Sequence, residues 1–342
     1  MRHLIFSIVV ICVGFAAQAF EIEGEYRFGS DDARQEIRII STADVEILIP
    51  LMRLFLDANP KVAIEYTSVS SGDLMTAIVD EGAQFDLALS SAMDLQIKLA
   101  NDGFSAEHSS DATKLVPDWG NWRNHVFAFS QEEASIVVSP EAFEGLDIPR
   151  DRQALINVLR SHPERFEGRV ATYDLALSGT GYLFATQDAR TTETYWRLME
   201  VMGSLDARLF GSSNAMIEAV SRGEMAVAYN VLGSYARARK DLDGMIEVID
   251  PADVTSMMLR TAILLKGSEE TELAQGFIDH LLLSAWGAED VPEYPFYKWH
   301  LDTSEAAAAT KPIRLGPGLL VFLDAQKRKR FLREWSAAIR QE

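Results

Sequence analysis

One pattern recurs five times along this chain: a β-rich apolar run ends in Ser or Thr residues, and an amphipathic helix is expected to begin directly after them. In an open parallel sheet, the loops that follow the strands lie together at the carboxyl ends of the strands, where ligands bind. Helix N-termini in such loops carry positive partial charge and N–H groups without intrahelical partners. The pattern therefore predicts one cleft suited to a small oxyanion. The five clusters are Ser41-Thr42, Ser70-Ser71, Ser90-Ser91, Ser178-Gly179-Thr180 and Ser212-Ser213.

The alternation of strands and helices predicts an α/β fold with mainly parallel sheets flanked by helices. Without its first 19 residues the 342-residue chain retains 323, enough for two hydrophobic cores. No Pro-, Gly- or Ser-rich linker divides it, so we expect two lobes joined by strands that cross at residues 125–139 and 248–260, with the ligand cleft between the lobes. The expected division is residues 20–130 plus 250–300 for lobe 1, residues 131–249 for lobe 2, and a C-terminal helical segment, 301–342, assigned to neither lobe.

The N-terminus has the features of a cleavable signal peptide. Arg2 and His3 precede an apolar run from Leu4 to Ala17, and Ala17-Gln18-Ala19 places small residues where a signal peptidase cleaves. Cleavage after Ala19 and export to the periplasm are therefore expected. The run is too short for a membrane-spanning helix of ~20 residues. Cys12 is the only cysteine and lies inside the run, so the mature protein cannot form disulfides.

The net charge of the chain restricts the classes of partner that it can bind. The formal net charge is −19, from 32 Lys and Arg against 51 Asp and Glu. Such a field repels nucleic acid, but it does not prevent backbone dipoles from holding a small anion locally. The basic run KRKRFLR at residues 327–333 is interpreted as the solvated face of a final helix.

The hydroxyl clusters have simpler explanations, because Ser and Thr also cap helices at ~1 kcal/mol each without any ligand. Catalytic explanations have little support. Ser178 does not lie in a G-x-S-x-G motif, and Tyr182 stands where a phosphate-binding P-loop needs Lys. A hydrolase that uses Ser178 stays open as an alternative, although the sequence shows no base for it. We therefore predict a binding protein that is not an enzyme and needs no cofactor.

Two tyrosines could instead bind a hard metal ion such as ferric iron. Tyr229 and Tyr235 lie in the segment AVAYNVLGSYA, and a phenolate oxygen is a ligand for a strong Lewis acid. A buried tyrosine packed against a helix explains either residue equally well.

In its order of motifs the chain resembles the extracellular solute-binding proteins of bacterial ABC importers, in the subgroup that binds ferric iron, 2-aminoethylphosphonate and phosphorylated sugars. The resemblance covers nearly all of residues 35–285, and its most specific elements are SGTGY at 178–182, PADVT at 251–255 and FIDHLLLS at 277–284. It implies a type II periplasmic binding fold whose two lobes close on a ligand. The ligand-binding residues it implies are Ser41, Thr42, Ser70, Ser71, Ser90 and Ser91 in the first lobe, and Ser178, Gly179, Thr180, Ser213 and Tyr229 in the second.

The chain departs from the ferric-binding members at one position. Those members carry two adjacent tyrosines where this chain has Tyr229 followed by Asn230, with Tyr235 further along. The departure favours an organic or phosphorylated anion over iron. The resemblance further implies a monomer that serves an importer permease. The tail at residues 313–335 resembles a branch associated with two-component sensor kinases, so an adaptor that docks a kinase ectodomain is the alternative role.

Overall fold

The computed structural model describes residues 20–289, 291, 294–301 and 309–341. The expected signal peptide, residues 1–19, lies outside this range. Among the described residues, none of the helices combines the length and the apolar character needed to cross a membrane.

The strands in the described residues form two sheets of seven strands each. The strands of the first sheet are β1 (Ile22–Gly29), β2 (Gln35–Ser41), β3 (Val62–Val69), β4 (Leu87–Ser90), β5 (Asn121–Trp122), β6 (Val126–Ala128) and β13 (Thr261–Leu264). Those of the second are β7 (Glu132–Val138), β8 (Val170–Tyr173), β9 (Arg208–Phe210), β10 (Val227–Leu232), β11 (Glu247–Ile249), β12 (Thr255–Met258) and β14 (Thr310–Pro312). The first sheet has the order β1-β3-β2-β4-β13-β6-β5, and the second has the order β14-β12-β7-β10-β8-β9, with β11 also paired to β7.

Helices cover the sheets and bury apolar faces against them. The α-helices are α1 (Val45–Ala58), α2 (Ser71–Met75), α3 (Met93–Asn101), α4 (Arg152–Ser161), α5 (Pro163–Phe166), α6 (Gly179–Thr191), α7 (Tyr195–Ser204), α8 (Ser213–Ser221), α9 (Gly233–Ala238), α10 (Thr271–Trp286) and α11 (Ala325–Arg340). A π-helical turn follows α2 at Thr76–Asp80. Short 3₁₀ helices lie at Thr113–Leu115, Glu141–Phe143, Lys240–Leu242, Trp299–Leu301 and Pro317–Phe322.

The prediction of two α/β units is confirmed, but the sheets are mixed rather than mainly parallel. β2 runs parallel to β3 and β4, and β8 runs parallel to β9 and β10, as the strand–helix alternation predicts. β13 and β7 run antiparallel to these neighbours. Both of these strands enter their sheet from the other one, at the edge where the parallel strands end, so they must run in the opposite direction.

Two crossings between the sheets lie wholly within the described residues, at 129–131 and at Leu259–Arg260, and β14 shows that the chain is back in the second sheet after α10. Both crossings fall within the segments expected from the sequence. The return comes later than the expected lobe boundary at residue 250, because β12 still pairs with β7 of the second sheet and only β13 joins the first.

A buried ion pair ties the two crossings together. Arg260 Nε and Nη2 donate to the two carboxylate oxygens of Glu132, both at 3.1 Å. Ser130 completes the cluster, because its hydroxyl donates to Glu132 Oε1 at 2.7 Å and accepts the Arg260 N–H at 3.0 Å. Arg260 is 1% exposed and Glu132 is fully buried, so neither charge has water as an alternative partner.

The C-terminal segment contacts both sides of the molecule. Helix α11 packs on α7 through Phe331, Trp335 and Ile339, so it lies against the second sheet's helices, with its Lys and Arg residues exposed on the opposite face. The 3₁₀ helix Pro317–Phe322 packs against α3, which belongs to the first sheet. The Tyr182 hydroxyl on α6 donates to the Phe322 carbonyl at 2.6 Å.

Replacement of Glu132 by Gln is expected to lower the free energy of unfolding by about 3–5 kcal/mol, because it leaves the Arg260 guanidinium buried beside a neutral group. Urea denaturation measures the loss. The matched control is Glu334→Gln, which breaks the exposed Arg330–Glu334 pair and should leave the unfolding midpoint unchanged. Equal midpoints for Glu132→Gln and wild type would contradict the importance of the buried pair.

The buried carboxyl of Asp94 on α3 should make stability depend on pH. Burial raises the pKa of this carboxyl from 3.8 to about 6 in the folded protein. The folded state therefore holds the proton more tightly than the unfolded state, and stability contributed by Asp94 is present below about pH 4 and lost as the pH rises to about 6. Asp94→Asn should remove this slope and be more stable than wild type at pH 7 by on the order of 2 kcal/mol.

Thermal unfolding at pH 4, 5, 6 and 7 tests this expectation. Asp102→Asn, directly after the same helix, is the control, because the hydrogen bond from Lys98 lowers the pKa of the Asp102 carboxyl instead of raising it. A slope that survives in Asp94→Asn would show that other groups cause it.

Candidate functional site

A cavity of about 500 Å³ lies between the two sheets, at the edge where the parallel strands end. Ten of its eighteen lining residues carry hydroxyl groups, which makes its wall rich in hydrogen-bond donors and acceptors. The ten are Thr42, Ser70, Ser71, Ser91, Tyr173, Ser178, Thr180, Ser212, Ser213 and Tyr235. We call this cavity the cleft.

The structure brings eight of the eleven predicted ligand-binding residues together in the lining of the cleft. They are Thr42, Ser70, Ser71, Ser91, Ser178, Gly179, Thr180 and Ser213. Their contact with a ligand remains a prediction.

Ser41 and Ser90 do not line the cleft, and each is turned toward the backbone behind it. Ser41 is fully buried and its hydroxyl accepts the Ala43 N–H at 3.0 Å. Ser90 accepts the Ala92 N–H at 3.0 Å and shares a hydrogen bond with the Thr42 hydroxyl, also at 3.0 Å. These two residues support the wall and orient Thr42, which does line the cleft.

Three serines cap helices that begin at the cleft. Ser70 accepts the Asp73 N–H at 3.1 Å, Ser178 accepts the Gly181 N–H at 3.1 Å, and Ser212 accepts the Ala215 N–H at 3.3 Å. The capping explanation is therefore correct for these three. It does not account for Ser71 or Thr180, each of which lines the cleft from within the first turn of its helix.

The two sides of the cleft touch, so the protein is in a closed conformation. The Ser91 and Thr180 hydroxyls share a hydrogen bond of 2.8 Å across the cleft. Asn214 Nδ2 on α8 donates to Asp44 Oδ2 before α1 at 2.7 Å. Gly179 approaches Ser71 so closely that a Cβ atom at position 179 would overlap the Ser71 hydroxyl.

Three charged residues line the cleft, and the sequence patterns identified none of them. Among the described residues, Arg260 is the only cation in the lining, and Asp44 and Glu23 are its two carboxylates. Burial raises the pKa of both carboxyl groups, and for Asp44 the nearby Arg260 opposes the rise. Asp44 lies two residues after Thr42 of the first hydroxyl cluster, and Arg260 ends the predicted return segment. A charged residue beside a predicted feature was therefore the signal that could have identified both. Glu23 gives no such signal.

Tyr229 lies outside the lining of the cleft, contrary to the prediction. It is 1% exposed, its hydroxyl donates to Asp188 Oδ2 at 2.6 Å and it accepts Arg152 Nε–H at 2.6 Å. Burial raises the pKa of the Tyr229 hydroxyl well above its ordinary value. The pair of metal ligands suggested by Tyr229 and Tyr235 is therefore not assembled, because only Tyr235 faces the cleft.

Tyr235 itself is poorly suited to become a phenolate. Burial raises the pKa of its hydroxyl to about 12, although Arg260 beside it opposes the rise. Arg260 Nη2 donates to the Tyr235 oxygen at 3.4 Å. The neutral Tyr235 hydroxyl can still donate a hydrogen bond into the cleft.

The environment of Ser178 does not activate a nucleophile. Its hydroxyl accepts a backbone N–H at the start of α6, and no histidine is among the lining residues of the cleft in the described part of the chain. The lining residues can recognise a ligand by hydrogen bonds and charge.

Comparison with known proteins identifies a family that the chain matches. The family model described as bacterial extracellular solute-binding protein matches residues 42–288. A probable ABC transporter periplasmic-binding protein of Sinorhizobium fredii is 20% identical over 238 residues, which are 67% of this chain and only 63% of that protein.

Solved structures confirm the predicted fold. The substrate-binding protein of an ABC transporter from Agrobacterium tumefaciens is 29% identical, with a TM-score of 0.85 over 94% of this chain and 99% of that one. Two structures, each 18% identical, share the fold: AfuA of Actinobacillus pleuropneumoniae with fructose 6-phosphate (TM-score 0.67, 91% and 100% covered) and iron-bound HitA of Pseudomonas aeruginosa (0.63, 89% and 99%).

Replacement of Gly179 by Ala should prevent full closure. The added Cβ would overlap the Ser71 hydroxyl and lie 3.1 Å from Ser71 Cβ on the other side of the cleft, while alanine suits the first turn of α6. Small-angle X-ray scattering should give a larger radius of gyration than for wild type, with a thermal midpoint that is no lower. Gly72→Ala is the control, because its Cβ would meet nothing nearer than Ser70 Oγ at 3.7 Å. Identical scattering from Gly179→Ala and wild type would contradict the closed arrangement.

Proposed function

The chain belongs to the bacterial extracellular solute-binding protein family, and on this premise we propose that it is the substrate-binding component of an ABC importer, which captures a small oxyanion-bearing solute between its two lobes. It acts in the periplasm as a monomer and delivers the solute to the importer permease. The chemistry of the site is binding, without catalysis.

The observation that carries the oxyanion is the convergence of Arg260 with the hydroxyls at the starts of α6 and α8 in one cleft. Hydroxyl and N–H donors at a helix N-terminus, with one guanidinium beside them, complement the oxygens of a phosphate, phosphonate or carboxylate. Arg260 is already oriented by Glu132, so little conformational entropy is lost when it meets an anion.

The two carboxylates in the lining of the cleft restrict which chemical groups the solute can carry apart from its oxyanion. Asp44 and Glu23 accept hydrogen bonds when ionised and would repel a second anionic group. The end of the solute opposite its oxyanion therefore carries hydroxyl or amino donors. A compact solute with one acidic group and several donors fits both sides of a cleft of about 500 Å³.

Closure supplies the selectivity. The contacts Ser91–Thr180 and Asn214–Asp44 join the two walls, and Ser91, Thr180 and Asp44 also line the cleft. A solute that bridges the walls stabilises the closed form by its differential affinity for that form. The permease would then distinguish loaded from empty protein by its shape.

Two alternative roles are weaker. Ferric transport would need tyrosine ligands, and Tyr229 is held by Arg152 and Asp188 away from the cleft. The adaptor role toward a sensor kinase stays a prediction from the resemblance of the tail, and a pull-down with the permease and the kinase ectodomain separates it from transport.

Isothermal titration calorimetry with solutes of matched size tests the proposal. Phosphorylated sugars and aminophosphonates should bind saturably with one site, and the parent sugars without the acidic group should not. Thr180→Val should weaken binding at least ~10-fold, because it removes a hydroxyl donor to a charged group and a contact across the cleft. Ser221→Ala, outside the lining of the cleft, is the matched control and should bind as wild type does.

Three results would overturn the proposal: equal affinity for the neutral sugars, tight binding of ferric iron with a coloured complex, or turnover of a phosphoester that Ser178→Ala abolishes.

A further inference from the structure

Strand β10 contains a bulge directly before the cleft. Val227 and Ala228 pair with Val138 and Val137 of β7, but Val231 already pairs with Ser135. Three steps along β10 thus oppose two steps along β7. Asn230, inside the bulge, has a φ of +62°, a left-handed conformation that asparagine tolerates better than most residues.

The bulge lets two successive side chains reach one carboxylate. Successive residues of a regular strand point to opposite faces of the sheet. Here the Tyr229 hydroxyl and Asn230 Nδ2 both donate to Asp188 Oδ2, at 2.6 and 2.9 Å. Asp188 is fully buried on α6, and Arg152 Nη2 donates to its other oxygen at 3.1 Å.

Arg152 anchors this carboxylate to the return segment. Its guanidinium donates to Asp253 Oδ1 at 3.0 Å and to the Val254 carbonyl at 2.6 Å, and it is fully buried. The carboxylate that holds the bulge is therefore fixed by α4 and by the segment that leads back to the first sheet.

The bulge determines which residues beyond it face the cleft. The Leu232 N–H donates to Ser213 Oγ at 3.0 Å, and the Ser213 hydroxyl also bonds the Tyr173 hydroxyl at 2.5 Å. Leu232, Ser213 and Tyr173 line the cleft, as does Tyr235 three residues beyond Leu232. A slip of one residue in β10 would turn the Leu232 side chain to the other face of the sheet. It would also withdraw the Leu232 N–H from Ser213 and displace the start of α9, which carries Tyr235.

We propose that Asp188 and Asn230 are positioning residues for the cleft: they hold the bulge in β10 and thereby orient Leu232, Ser213 and Tyr235 toward the solute. Tyr229 acts on the site in the same indirect way, through Asp188. The relevance to transport rests on the proposed function of the cleft. The positioning itself can be measured on backbone amides without any solute, so its failure is distinguishable from a wrong assignment of function.

Amide hydrogen exchange in Asn230→Ala and Asn230→Gly tests the proposal in the solute-free protein. The Asn230→Ala substitution removes the hydrogen bond to Asp188 and also disfavours the positive φ, whereas Asn230→Gly removes only the hydrogen bond. The Leu232 amide should exchange roughly tenfold faster in Asn230→Ala than in wild type, with Asn230→Gly in between. The amides of Val227 and Ala228, before the bulge, should keep their protection.

Asp206→Ala is the matched control, because Asp206 also has a positive φ of 52° but is exposed and remote from the cleft. It should leave the Leu232 amide unchanged. Unchanged exchange at Leu232 in Asn230→Ala would overturn the proposal. Faster exchange by the same factor at Val227, Ala228 and Leu232 would overturn it as well, because Asn230 would then support the whole strand rather than orient the cleft.

Discussion

The buried pair of Glu132 and Arg260 is the interaction on which the rest of the structure depends. The two residues lie 128 positions apart, one on each chain crossing, and neither has water as an alternative partner. Breaking such a pair is costly because it leaves a buried charge uncompensated. The pair therefore keeps the crossings together, and it also fixes Arg260 in the lining of the cleft. The guanidinium that holds the two crossings is thus the one that we propose for binding the oxyanion.

Asp188, a second buried carboxylate, connects the elements around the second sheet in a similar way. Asp188 collects Arg152, Tyr229 and Asn230, and through them it connects α4, α6 and β10. In both clusters an arginine is held by a buried carboxylate, which fixes its orientation and reduces the reorganisation that binding requires.

The sequence patterns predicted the α/β fold and the place of the cleft, because strand, hydroxyl and helix are local features. They could not separate Thr42 and Ser71, which face the cleft, from Ser41 and Ser90, which face the backbone behind it, since neighbours in a turn differ only in direction. The resemblance to the family implied Tyr229 as a ligand-binding residue, but its hydroxyl is bonded by Arg152 and Asp188 outside the lining of the cleft, and the sequence alone does not show these distant partners. The sequence patterns did not identify Arg260 as a cleft residue, because its partner Glu132 is distant in sequence.

The exposed basic face of α11 affects the orientation of the protein while it diffuses toward a partner. Residues 309–341 contain eight Lys and Arg against two Asp and Glu, a net charge of +6 (8 − 2), while the chain as a whole carries −19. The remainder therefore carries −25 (−19 − 6), and the protein has a large electric dipole moment. In the field of a charged membrane assembly a dipole experiences a torque, so diffusing molecules arrive preferentially in one orientation. Added salt screens that torque within about 10 Å, which makes ionic strength a determinant of the angle of encounter.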